Sequence, residues 1–342
     1  VGATPSASGS GGAALSRLPS LGFGGGPIGN LYAAISDAEA AATVAAALDA
    51  GLRYFDTAPH YGFGLSETRL GRALAGRPDV IVSSKVGRLL APTDAGPGER
   101  HGFVDAAPFE PVFDYGYDAV MRSYEESLKR LGRDRIDILL AHDLGRRTHG
   151  EDHPARLRAF FEGGYRAMRD LRDSGAVGAI GLGVNEQAVC DEALEQGDFD
   201  VFLLAGRYTL LEQTALDGFL PLCLKRGVRI IVGGPFNSGV LVEDAAGAHY
   251  NYRPAQAEIL DRVGQLRAVC DAHAVPLPAA ALQFPLAHPA VVSVIPGLGS
   301  PAQAVQAAGW MRTPIPGALW DDLRTEGLLH PDAPTPETPA AA

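Results

Sequence analysis

Short apolar runs rich in β-branched residues recur along the chain, and the stretches between them bring back their apolar residues at helical spacing. The runs predict eight strands, over residues 20–24, 54–57, 80–85, 136–141, 178–184, 200–205, 228–233 and 291–295. Two of the intervening stretches are well-marked helices. Residues 37–50 follow Ser36, a capping residue, with Glu39 placed to complete a capping box. Residues 119–131 put Val120, Tyr124, Leu128 and Leu131 on one face and add the i,i+4 pairs Glu125–Lys129 and Glu126–Arg130. Strands alternating with helices predict a parallel sheet with crossover helices, and eight of them fit a closed (β/α)8 TIM barrel better than an open sheet. The expected layout is α/β: a tail over residues 1–15, one barrel domain over 16–328, and a second tail over 329–342, where Pro, Thr and Ala dominate. Two connections are long, 87–117 after the third strand and 143–160 after the fourth. Both leave the C-terminal ends of strands, where barrel enzymes build their sites, so both are expected to wall a substrate.

The same strand ends carry the candidate chemistry. Asp56 closes the second strand and Tyr61 lies five residues on, in a glycine-rich loop. Lys85 closes the third strand and His142 the fourth. Exchange between a carbonyl and an alcohol needs a hydride carrier and a group that trades a proton with the substrate oxygen. A phenol with an ordinary pKa near 10 is a poor base at neutral pH, and a nearby ammonium would ease its ionisation. Asp56 would hold that ammonium, and His142 would donate to the oxygen or relay a proton to Tyr61. Taken singly, each has an ordinary structural reading: a loop cap, a packing ring, a snorkelling cation, a loop imidazole. Their convergence on one barrel face favours chemistry. The chain otherwise uses arginine for nearly all its cations, its lysines being Lys85, Lys129 and Lys225.

Composition narrows the partners. The formal net charge of −11 over 342 residues gives no broad basic surface for nucleic acid or an anionic membrane, which leaves a small molecule as the expected partner. Cys190, Cys223 and Cys270 are far apart, without a CxxC pair or a His cluster, so neither a disulfide framework nor a metal site is expected. No signal-like or membrane-spanning run is present, and a cytoplasmic location is expected. No heptad or repeat marks an oligomer interface. The run from Gly24 to Gly29 satisfies GxGxxG after a strand, yet the next helix begins only near Ser36 and Pro27 interrupts the turn, which argues against a Rossmann loop. Glycines such as Gly25 would instead let the first loop pass close to a ligand or a neighbouring strand.

Several spaced motifs together resemble the aldo-keto reductase family. They are Asp56-Thr57-Ala58 through Tyr61-Gly62 and Ser66-Glu67, the helix Met121 to Gly132, Ile136-Asp137, and Ile295-Pro296-Gly297. The resemblance implies a barrel that binds an extended nicotinamide dinucleotide, with Asp56, Tyr61, Lys85 and His142 as the catalytic group. It implies that Asn185 bonds the carboxamide, that Gly234, Phe236, Asn237, Ser238 and Gly239 cover the pyrophosphate, and that Gly297, Ser300 and Gln303 meet the adenosine end. Departures are informative. The family's amide-holding Gln corresponds to Ala205 and its stacking aromatic to Gly233, so Tyr208 or Phe236 is expected to take the place of that ring. NADP-using relatives place cations where this chain has Gly297 and Gln303, so NAD is expected over NADP. The run from Leu203 to Gln213 resembles the branch that oxidises L-fucose and other D-threo-aldoses at C1, with pyridoxal 4-dehydrogenase nearby. A cofactor-binding redox sensor or channel-associated subunit is the alternative of another class.

Overall fold

The computed structural model describes residues 15–242, 249–251 and 253–337. Eight strands form one parallel sheet: β1 (Phe23–Gly24), β2 (Tyr54–Asp56), β3 (Ile81–Val86), β4 (Ile136–His142), β5 (Val177–Val184), β6 (Val201–Ala205), β7 (Arg229–Gly233) and β8 (Val291–Ile295). Neighbours pair in chain order. The ends meet as well, since Leu21 bridges Val294, Gly24 bridges Gly297, and Gly22 N donates to Val294 O at 2.9 Å. The sheet closes into a barrel as the alternation predicts. β1 is shorter than its apolar run because residues 20–22 join β8 only through these isolated contacts.

The helices that follow the strands are α1 (Asp37–Asp49), α2 (Leu65–Ala73), α3 (Tyr117–Leu131), α4 (Tyr165–Asp173), α5 (Ala188–Leu194), α6 (Phe219–Arg226), α7 (Ala257–Ala272) and α8 (Pro301–Trp310). Their apolar faces and the outward strand residues make a large outer core, in which Cys190, Cys223 and Cys270 are buried free thiols. Ser36 caps α1 and Glu39 closes the expected box. α3 begins two residues earlier than its pattern indicates, behind Gly116.

Inside the barrel, strand residues of one face alternate inward with a period of two. Tyr54, Ile81, Ile138, Leu140, Ala179, Val201, Leu203, Ile231 and Ile295 form a separate inner cluster. Leu15 belongs to it at 7% exposure, so residue 15, expected as the last of the tail, is packed into the fold. Residues 1–14 lie outside the described residues. Of the C-terminal segment expected as a tail over 329–342, residues 338–342 lie outside the described residues, and the part before them is also held down. Arg324 donates to Ala333 O and Thr335 Oγ1, Gln213 Oε1 accepts from His330 N at 2.6 Å, and Ala333 is buried. Its composition reads as loose chain, but bonds from nearby Arg324 and from Gln213, 117 residues before His330, fix it.

The long connections are built, not bare. Residues 88–113 contain an antiparallel ribbon, Arg88–Pro92 with Phe109–Phe113, and a shorter pair, Glu99–Arg100 with Phe103–Val104. Gly87 allows the turn into it: φ is +97°, and a Cβ there would stand 2.2 Å from the Tyr115 ring. After β4 come the short helices Arg146–His149 and His153–Ala159, followed by one wide turn at Phe160–Gly164 that leads into α4.

Candidate active site

The strand period that fills the inner cluster also delivers the polar residues. On β2, Tyr54 and Asp56 share the inward face; on β3, Ile81, Ser83 and Lys85 do; on β4, Ile138, Leu140 and His142 do. Asp56, Lys85 and His142 are therefore the last inward residues of three adjacent strands, and all are buried, at 2%, 1% and 5% exposure. Lys129 and Lys225, by contrast, are exposed. Lys85 Nζ donates to Asp56 Oδ2 at 2.8 Å and to Thr57 O at 2.9 Å. The other Asp56 oxygen accepts from Ser83 Oγ at 2.6 Å, and Ser83 Oγ also meets Tyr54 Oη at 2.9 Å. Gly183 on β5 gives the lysine stem its room, because a Cβ there would lie 3.2 Å from Lys85 Cε.

Tyr61 lies above this pair. The Lys85 ammonium is 4.6 Å from the centroid of its ring, and the His142 ring meets it edge-on at 5.8 Å. The four catalytic candidates thus come together at the C-terminal mouth. Their electrostatics differ from the sequence expectation in one respect. Burial, then the carboxylates of Asp56 and Asp143, push the Tyr61 phenol well above its ordinary 10, and Arg88 only partly opposes them. The ammonium that was expected to ease ionisation lies over the ring face with its charge taken up by Asp56, so Tyr61 rests protonated. Burial, Arg88, Lys85 and His60 drive His142 well below 6.5, which keeps the imidazole neutral. His60 is driven down to about 2, by burial first and then by Arg88, His101 and Lys85.

Residues with no assigned role in the sequence reading complete the site. Arg88, 8% exposed, pairs with the Asp143 carboxylate and lies over the Phe113 ring at 4.8 Å. Asp143 Oδ2 is 3.6 Å from His142 Nε2. Tyr115 Oη donates to His142 O at 2.7 Å. His60 packs edge-on to Phe103 at 5.2 Å and to His142 at 5.9 Å, and Phe103 lies 6.2 Å from the Tyr61 ring. Asp143 directly follows His142, which was its only sequence signal. Arg88 and Phe103 come from the folded connection after β3, whose path the sequence did not reveal.

The expected cofactor residues divide. Asn185 Nδ2 donates to Asp143 Oδ1 at 3.1 Å, which places that side chain beside the catalytic candidates. The backbone from Gly234 to Gly239 includes four residues at positive φ: Gly234, Asn237, Ser238 and Gly239. Asn237 is turned inward, accepting from Thr209 Oγ1 at 2.7 Å and donating to Gly206 O at 3.2 Å, so its amide braces the loop. Gly25 N donates to Asp56 O at 2.8 Å, and a Cβ there would approach that oxygen to 2.6 Å; packing alone explains this glycine. Tyr208 does not replace the missing aromatic. It is fully buried against Phe284 and His288, on the outer side of the barrel. Phe236 is partly exposed and meets Trp310 edge-on at 5.8 Å. Gly233 has no room for a ring, since its Cβ would come within 2.8 Å of Leu203. Gln303 Oε1 accepts from Gly299 N at 2.7 Å, and Ser300 caps α8, whose first turn holds no acid.

These features fit an extended anionic dinucleotide. Gly234 is exposed, with no atom beyond its chain neighbours closer than 3.9 Å to a Cβ built there, which leaves room for a ligand against the backbone. A closed barrel whose mouth gathers a carboxylate, a phenol, an ammonium and an imidazole defines a barrel enzyme acting on small molecules. Comparison with known proteins narrows this class. Residues 20–324 match the aldo/keto reductase family. The chain is 44% identical over 324 residues to pyridoxal 4-dehydrogenase of Microbacterium luteolum, covering 91% of this chain and 95% of that one. It is 40% identical over 327 residues to D-threo-aldose 1-dehydrogenase of a Pseudomonas species, covering 93% and 96%. The holo form of an aldo-keto reductase from Bacillus halodurans superposes with a TM-score of 0.67 at 25% identity, over 94% of each chain. The protein belongs to the aldo/keto reductase family, a family of oxidoreductases that use a nicotinamide cofactor.

Proposed function

We propose that this protein oxidises the ring hydroxyl of a cyclic hemiacetal to a lactone with NAD, its substrate being an aldose lactol at C1 such as that of L-fucose or another D-threo-aldose. The observation that carries this reading is the placement of the Tyr61 phenol between the buried Lys85–Asp56 pair and a neutral His142. When bound, the dinucleotide would supply the acceptor for the hydride of C1. The chain handles the proton. Tyr61 is the group that exchanges it with the substrate hydroxyl, and His142, held neutral, keeps one ring N–H that can donate to the same oxygen. Asp56 and Ser83 fix the ammonium beneath the ring. Phe103, Phe113 and Arg88 from the connection after β3 wall the mouth.

Asn185, the 234–239 loop, Gly297 and Ser300 would hold the dinucleotide. Gln303, already tied to Gly299, supplies no cation for a 2′-phosphate, which favours NAD over NADP. A second reading, oxidation of pyridoxal through its own cyclic hemiacetal, is supported by the 44% identity to the Microbacterium enzyme and uses the same bond chemistry.

NADH absorbance during turnover of L-fucose, other D-threo-aldoses and pyridoxal tests both readings. Turnover of the aldoses is expected, and Tyr61→Phe should lower kcat about 10²- to 10⁴-fold without changing the melting temperature. A protein that binds NAD but is inert to the whole panel would overturn the enzyme reading in favour of a binding role. Catalytic efficiency at least about tenfold higher with NADP would overturn the choice of carrier.

A further inference from the structure

We propose that Asp143 is a positioning residue that locks the nicotinamide end of the cofactor to the proton-handling groups by fixing the Asn185 amide. The inference rests on the functional reading above. Asp143 leaves β4 with φ of +46°, a left-handed conformation that Asp tolerates better than most residues, and its N–H donates to Gly183 O on β5 at 2.9 Å. Its two carboxylate oxygens are divided. Oδ1 accepts from Asn185 Nδ2 at 3.1 Å, while Oδ2 pairs with Arg88 Nη2 and lies 3.6 Å from His142 Nε2. One carboxylate therefore touches residues from the ends of three successive strands. Arg88 follows β3 by two residues, His142 ends β4, and Asn185 follows β5.

The division has a chemical consequence at Asn185. A carboxylate accepts only, so it orders a neighbouring amide by taking the NH₂ edge and turning the carbonyl edge the other way. The carbonyl edge, which matches the NH₂ of a carboxamide, is thereby held in a fixed direction. The backbone is fixed too, because Arg207 Nε donates to Asn185 O at 2.8 Å. The same carboxylate acts on Tyr61. The charged and titratable groups around that phenol are Asp56 from β2, Lys85 from β3, Arg88 from the ribbon, His142 and Asp143 at the end of β4, and His60 beside it. Among these, Asp143 is one of two carboxylates that hold the proton on.

Asp143→Asn keeps the side-chain shape and removes the charge. Calorimetric titration with NAD and with ADP-ribose, which lacks the nicotinamide, separates positioning from folding. Affinity for NAD should fall about tenfold, the loss expected for one hydrogen bond to a charged group, with ADP-ribose unchanged. The alkaline rise of oxidation should move to lower pH. Because the variant leaves Arg88 buried without its partner, Arg88→Met/Asp143→Asn is measured beside it. Asn185→Ala, made alone and with Asp143→Asn, should show that the two losses do not add. Additive losses, or equal changes for NAD and ADP-ribose in both Asp143 variants, would overturn the inference while leaving the function intact. A parent protein that binds NAD no better than ADP-ribose and oxidises no hemiacetal would overturn both.

Discussion

Tyr54 and Asp56 stand two residues apart on one face of β2, yet they belong to opposite halves of the barrel interior. Tyr54 packs with Ile81, Ile138 and Val201 in an apolar half that Leu15 and Leu18 join. Asp56 belongs with Lys85, His142 and Tyr61 in a polar half at the C-terminal mouth. The seam between the halves is a chain of hydroxyls, from Tyr54 to Ser83 to Asp56, in bonds of 2.9 and 2.6 Å. The contrast shows how a barrel divides stability from chemistry within the same strands. On β2 and β4 the inward positions before the last contribute packing and the last contributes chemistry, while on β3 Ser83 bridges the two halves below Lys85.

If the halves are separable, substitutions in each should fail differently. The largest effect is expected at the polar half. Lys85→Met would leave the Asp56 carboxylate buried and unpaired, which costs about 3–5 kcal/mol of stability and removes the cation beneath Tyr61. Urea unfolding and NADH turnover should fall together. An active, fully stable Lys85→Met protein would erase the distinction, because the buried pair would then serve neither end.

A smaller and one-sided effect is expected in the apolar half. Ile138, fully buried, shares its face of β4 with His142 but lies four residues away from it. Ile138→Ala should cost about 2–5 kcal/mol by opening a cavity, with kcat of the folded protein unchanged. A loss of kcat at saturating substrate would show that the two halves are mechanically coupled.

The same division explains what could be read from the sequence. Strand identity and the strand-end positions of Asp56, Lys85 and His142 were legible, because period-two burial leaves an apolar run that ends in a polar residue. The motif around Tyr61 was legible as a unit, although half of it is scaffold. Ser66 Oγ donates to Gly25 O at 2.8 Å, and buried Glu67 accepts from Ser84 Oγ and Arg130 Nε, each at 2.6 Å. The ribbon after β3 was not legible. Both its strands carry a proline, which removes a ladder donor and reads as loop, yet a two-stranded ribbon has an open edge at which proline is tolerated. Arg88 and Phe103 were hidden with it. Tyr208 misled for a related reason: it follows β6 outside the strand, where period-two alternation no longer tells inward from outward.

A further expected effect is graded by pH and separates the halves without a mutation. Oxidation requires Tyr61 to accept a proton, so the competent fraction is the ionised one. Its pKa lies well above 10, because burial and the carboxylates of Asp56 and Asp143 raise it. Below that pKa the ionised fraction grows tenfold per unit, so log kcat/KM for oxidation should climb with a slope of about one between roughly pH 7 and 10. His142 is held well below 6.5 and adds no break there. Stability should behave differently. The Tyr54 and Tyr61 phenols stay protonated in folded and unfolded chains alike below about pH 9, so neither makes stability depend on pH in the range where activity climbs. On the acid side the sign reverses. The unfolded chain protonates His142 and His60 below about 6.5 and the folded chain does not, so stability is complete above that value and declines below it, by up to about 1.4 kcal/mol per unit for each group. Melting temperatures flat from pH 7 to 9 beside a steep rise in oxidation would place the pH response in the polar half. A flat rate profile over the same range would instead remove Tyr61 from the proton transfer.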